Sequence, residues 1–132
     1  MSQRLHFQRS WTALGALMIA VVVILSLASV SQPVDVPGMD KINHVVAYGA
    51  LMFWWGMVQP GRRWTWAVVL VLLGIGLELA QAQTGYRTMD RWDAAANSVG
   101  VLAALALLFT PLRGSLAWFD RQLADRLDSG TP

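Results

Sequence analysis

Asp40, Lys41, His44 and Tyr48 open one apolar stretch of this chain, Glu78 and Gln81 close the next, and Arg87, Asp90, Asp93 and Asn97 lead into the last. These side chains could do chemistry. His44 beside Asp40 has the makings of an oriented general base, and Glu78 in apolar surroundings could keep its proton and serve as an acid. His44, Glu78, Asp90 and Asp93 are therefore the candidate acid/base groups. The same set offers nitrogen and oxygen donors that suit a divalent metal, with His44, Glu78 and Asp93 the ligands if one is held. No HExxH or HxxEH spacing accompanies them. Lys41, Arg87 and Arg91 suit an anionic head group, phosphate above all, and Asp40, Tyr48, Gln81 and Asn97 complete the ligand-facing set. No serine or threonine stands out as a nucleophile: Ser98 adjoins Asn97 but lies one residue off the polar stripe.

Helices must position these groups. Residues four apart share a helix face, so Asp40, His44 and Tyr48 form one stripe, with Tyr48 roughly 12 Å deeper than Asp40. Gly74, Glu78 and Gln81 form a second stripe, and Asp90, Asp93, Asn97 and Gly100 a third. In an antiparallel bundle the three stripes meet at one end, where they avoid lipid by facing one another. An ionised carboxylate at the depth of Glu78 costs about 2.5–3.5 kcal/mol to insert. Glu78 is thus protonated, paired with Lys41 or Arg87, or turned to a wet cavity. The plainer alternative is that these groups only join helices by hydrogen bonds, each worth about 1–2 kcal/mol or less.

Composition points to a membrane protein. Of 132 residues, 55% are apolar and only 14% charged, far from the balance of a soluble domain. Trp11–Val30, His44–Val58, Trp64–Leu79 and Ala94–Leu112 approach a span of ~20 residues. The fold class expected is all-α: a polytopic, antiparallel four-helix transmembrane bundle over residues 1–112 and an amphipathic interfacial helix in 113–132. In that last segment Leu116, Phe119, Leu123 and Leu127 recur at helical spacing, with Asp120, Arg121, Asp125 and Arg126 between them. Arg4, Arg9, Arg62, Arg63, Arg113, Arg121 and Arg126 all fall on one side of the spans. The positive-inside rule then puts both termini in the cytoplasm of a bacterial inner membrane. Trp54, Trp55, Trp64 and Trp66 read as interfacial anchors around Pro60-Gly61, and His6 as a surface residue. Arg4 and Arg9 ahead of the first stretch, with Ser29-Val30-Ser31 after it, also fit a signal peptide, but the apolar run is long and an uncleaved first helix is expected. The absence of cysteine excludes disulfides and thiolate metal sites, and a net charge of +2 gives no footing for nucleic acid. Ala96, Gly100 and Ala104 make a small-residue ridge that could pair helices within the chain or between two copies.

Asp40-Lys41-x-x-His44-x-x-x-Tyr48, Gly74-x-x-x-Glu78-x-x-Gln81, and Arg87 with Asp90, Asp93, Asn97 and Gly100 together resemble the VanZ-like family of small membrane proteins. The resemblance covers residues 40–108 and implies four or five membrane helices. The family's namesake is linked to resistance to the glycopeptide antibiotic teicoplanin, and the family has no agreed biochemical activity. The expectation is an outer-face site that binds, and could modify, an anionic envelope lipid or lipid-linked precursor. A non-enzymatic membrane scaffold is the alternative, and half of an ion-coupled transporter a third with less weight.

Overall fold

The structure, a computed structural model, describes residues 4–28, 37–85 and 90–130. Among them are five α-helices and no strand: α1 (Gln8–Leu27), α2 (Met39–Val58), α3 (Arg63–Gln83), α4 (Arg91–Leu107) and α5 (Ser115–Ser129). Single 3₁₀ turns at Pro60–Arg62 and Pro111–Gly114 join α2 to α3 and α4 to α5. Each boundary has a local cause. Gly38, just ahead of α2, has φ +81°, left-handed backbone that glycine adopts without a Cβ clash. Asp90 caps α4 by accepting a 2.8 Å hydrogen bond from the Trp92 amide. Pro111, which lacks an amide donor, follows the end of α4, and the chain turns by 82° into α5.

Side-chain contacts fix the helix directions. His44 meets Asn97, and a Cβ on Gly56 would strike Leu108, so α2 and α4 run parallel. Trp55 stacks on Trp66 with ring centroids 3.9 Å apart, and Tyr48 reaches Gly74, so α3 runs opposite to both. Gly15 of α1 abuts Trp54 and Trp55, while Gln81 near the end of α3 donates to the Ser26 carbonyl near the end of α1. Helices α1 to α4 thus alternate in direction. The starts of α2 and α4 and the ends of α1 and α3 share one end of the molecule, as the three stripes require.

The tightest junction is between α2 and α4. A Cβ on Gly100 would collide with the Val45 carbonyl oxygen and come within 3.0 Å of the Gly49 nitrogen, so only glycine lets these backbones approach. Ala96 and Ala104 are buried along the same junction. The small-residue ridge is therefore spent inside one chain, and a second copy would have to use another face. Below it Tyr48, Leu51, Met52, Leu70, Val101, Leu105 and Leu108 form the main core.

α1, and the stretch Pro60–Gln83 that contains α3, are long and apolar enough to cross a membrane, and α4 with α5 would make a third span if the bent pair acts as one. α2 is not in that set, because Asp40, Lys41, Asn43 and His44 crowd its first turns. α4 runs Arg91–Leu107 where Ala94–Leu112 was expected. Its 17 residues reach only about 26 Å.

Three expectations change at the end away from the polar stripes. Trp55 is buried, stacked on Trp66, and is not an interfacial anchor, whereas Trp64 is exposed. On α5, Leu116 and Asp120 face inward while Phe119 and Leu127 are exposed; the buried stripe therefore carries a carboxylate. Asp120 gathers the chain's N-terminal segment: its oxygens accept from the His6 amide (2.6 Å), the Phe7 amide (3.0 Å) and the Trp11 indole (2.7 Å), with the His6 ring 3.1 Å away. Burial by itself would raise the Asp120 carboxyl, but these donors outweigh it and hold it below the ordinary aspartate value. His6, expected as a plain surface residue, is part of this fastening, although its side chain is more than half exposed.

Candidate functional site

The polar end is built from the first turns of α2 and α4 and the last turns of α3. Lys41 lies at its rim. Its ammonium donates to Asp40 Oδ2 (3.1 Å), Asp90 Oδ2 (3.1 Å) and Asp93 Oδ1 (3.0 Å), which engages all three of its hydrogens. Asp93 first, then Asp90 and Asp40, hold the lysine above its ordinary pKa. Asp90 is held low in turn, by the Trp92 amide and then by Lys41, and Asp40 by Lys41. Lys41 therefore binds α2 to the start of α4, and its charge is already matched.

One turn deeper, His44 lies between Asn97 and Asp93. Its Nδ1 is 2.8 Å from the Asn97 carboxamide oxygen and its Nε2 is 3.6 Å from Asp93 Oδ2. A carboxamide oxygen can only accept, so Nδ1 carries a hydrogen, and Nε2 is turned toward Asp93. Asn97 is itself wedged against α3, where Gly74 makes room: a Cβ there would stand 2.9 Å from Asn97 Nδ2 and 3.3 Å from the Tyr48 ring. Glu78, one turn further along α3, is 3% exposed and Asp93 5%. One ligand atom from each of His44, Glu78 and Asp93 falls within 4.8 Å of the others. Residues from three different helices, at sequence separations of 34 and 15, thus present a nitrogen and two carboxylates to one point.

The structure brings together His44, Glu78, Asp93 and Asn97, with Lys41, Asp40 and Asp90 above them and Tyr48 below. It treats the other expected site residues differently. Asp90 is a helix cap and ion-pair partner, with one oxygen on Trp92 and the other on Lys41. Gln81 is buried but turned to α1, where its amide nitrogen donates to the Ser26 carbonyl. Arg91 is exposed at the start of α4. Arg87 lies outside the described residues, as do Ser29-Val30-Ser31 and most of the loop expected at Ser31–Met39.

Chemically, the His44 ring next to two buried carboxylates can handle a proton, hold a metal, or both. It is poor in unpaired positive charge, because Lys41 is already matched by three aspartates. Sequence reasoning missed the Asn97–His44 pairing; the signal for it was that both residues lie the same distance, about one turn, inside Lys41 and Asp93.

The chain is 32% identical over 97 residues to an uncharacterized protein of the fission yeast Schizosaccharomyces pombe, across 70% of this chain and 60% of the relative. The chain thus spans about 60% of that protein's length. No family model matches the sequence, and no solved structure matches it. The relative is eukaryotic, so the bacterial inner-membrane location expected from the sequence does not stand. The helices long and apolar enough to cross a membrane are untouched by that correction.

Proposed function

We propose that this chain is a small integral membrane protein, VanZ-like in its motifs, whose polar end receives the phosphate-bearing head of a membrane lipid. The observation that carries the reading is the convergence of His44, Glu78 and Asp93, two of them almost fully buried, at one end of helices whose outer faces are apolar. Val46 on α2, Leu17 and Ile24 on α1, Leu72 on α3 and Leu102 on α4 are all well exposed, a display that a water-soluble surface seldom carries. It supports burial of all four helices in lipid, with α2 and α4 entering through their polar first turns. A lipid lying against such a bundle brings its head to the level of Lys41 and His44. In this reading His44 and Glu78 either handle a proton or, with Asp93, hold a metal; Asn97 orients His44, and Arg91 serves the head group from the rim.

The test is native mass spectrometry of the detergent-purified protein titrated with phosphatidic acid or phosphatidylcholine. Retention of phosphatidic acid that drops at least tenfold in His44→Ala and Glu78→Gln is expected. Equal retention by all three proteins overturns the reading.

A second reading, structural glue, is favoured by one observation: Lys41–Asp93 and His44–Asn97 both cross the tightest helix junction. It predicts that each site variant unfolds well below wild type.

A further inference from the structure

We infer that His44, Glu78 and Asp93 together bind a divalent transition-metal ion, with His44 Nε2 and one oxygen from each carboxylate as its protein ligands. The inference rests on the head-group reading for what the ion does, though not for whether it binds.

Four observations lead here. The ligand atoms lie within 4.8 Å of one another, and the His44–Asp93 pair is 3.6 Å apart. Two ligands at zinc–nitrogen and zinc–oxygen bond lengths and a tetrahedral angle stand about 3.3 Å apart; the His44–Asp93 pair is already near that spacing, and Glu78 closes the rest by turning its side chain. His44 already makes the hydrogen bond that metal-bound histidines make with their other nitrogen. Nδ1–H goes to the Asn97 oxygen, which sets the tautomer and aims Nε2 at the carboxylates. Asp93 is likewise held by its second oxygen, on Lys41. Finally, Glu78 and Asp93 put two carboxylates close together inside the bundle, which favours a bound cation. Nitrogen among the donors argues for zinc over magnesium or calcium, which prefer oxygen ligands. Three protein ligands leave a tetrahedral ion one position open.

That open position is what the head-group reading otherwise lacks. Lys41 has no free hydrogen for a phosphate, and the carboxylates around it repel one. A divalent ion on the triad cancels the charge of its two carboxylates and offers a phosphate oxygen a place to bind.

The test uses the intact 132-residue chain, purified in detergent, stripped with chelator and then delipidated. Zinc is titrated by calorimetry, and cobalt is added as a spectroscopic substitute. One zinc per chain, a cobalt spectrum of tetrahedral type, and at least tenfold weaker binding in His44→Ala and Glu78→Gln are expected. Asn97→Leu, which keeps all three ligands, is expected to weaken zinc by about 10–100-fold. Absence of zinc and cobalt binding by the wild-type protein overturns the inference, and so does unchanged affinity in Glu78→Gln. Because the wild-type titration decides by itself, poor folding of a variant cannot rescue the inference. Zinc binding in a protein that then retains no phosphatidic acid upholds the metal and removes the head-group reading. Retention of the lipid without zinc does the reverse.

Discussion

Asp93 on α4 and Asp120 on α5 are both almost wholly buried, 5% and 1% exposed, at opposite ends of the molecule, and they are satisfied in different ways. Asp120 meets two backbone amides and an indole, all fixed by covalent geometry, plus the His6 ring. Its capacity is filled by neutral donors, and it ties α5 to the N-terminal segment. Asp93 has one oxygen on a half-exposed lysine and the other beside a histidine ring nitrogen, with Glu78 close by. A carboxylate surrounded by amide hydrogens fastens a fold. One that shares a small space with a second carboxylate and an imidazole is held at some cost, and such arrangements cluster where ligands bind.

The comparison can be broken most sharply at Asp120. Asp120→Ala leaves two amides and an indole N–H without their acceptor and should cost about 3 kcal/mol, seen as the largest drop in the thermal unfolding midpoint in detergent. Zinc affinity should stay within about twofold, since the site is at the other end. Next is Gly100→Ala, whose methyl group must push α2 and α4 apart; a loss of about 1–3 kcal/mol is expected. Unlike Asp120→Ala, it should also weaken zinc, because His44 and Asp93 sit on the two helices that separate.

Acid should act through Asp120. Its folded pKa is depressed, so its contribution is complete above the unfolded aspartate value, about 3.9, and is lost as pH falls through the lower folded value. A midpoint measured from pH 6 down to pH 3 should therefore fall at the acid end, and fall less in Asp120→Asn. The smallest effect is expected from Asp40→Asn. Its ion pair with Lys41 is partly exposed and screened, so the midpoint and the zinc affinity should both stay near wild type.

Much of the polar end could be read from the chain because helical spacing and the cost of charge in lipid act locally. Asp40, His44 and Tyr48 share a face whatever surrounds them, and polar stripes at alternate helix ends have one way to meet. The triad His44, Glu78 and Asp93 follows from that logic. The individual bonds do not. That Asp90 would cap α4, that Gln81 would turn to Ser26, and that Lys41 would be shared by three aspartates depend on side-chain geometry between helices. Asp120 was misplaced for a more specific reason: a carboxylate among Leu116, Leu123 and Leu127 reads as the polar face of an amphipathic helix until the N-terminal amides that satisfy it are brought alongside. Whether α2 and α4 cross a membrane was no more legible, since apolar length does not reveal how strongly a polar first turn opposes insertion.

The most direct test of the polar end as a site is the thermal unfolding midpoint of Glu78→Gln, measured in metal-free detergent beside wild type and Asp120→Ala. Removing one of two crowded carboxylates should leave the midpoint at the wild-type value or above it. A fall as large as that of Asp120→Ala would show that Glu78 fastens the helices as Asp120 does, and would contradict the account.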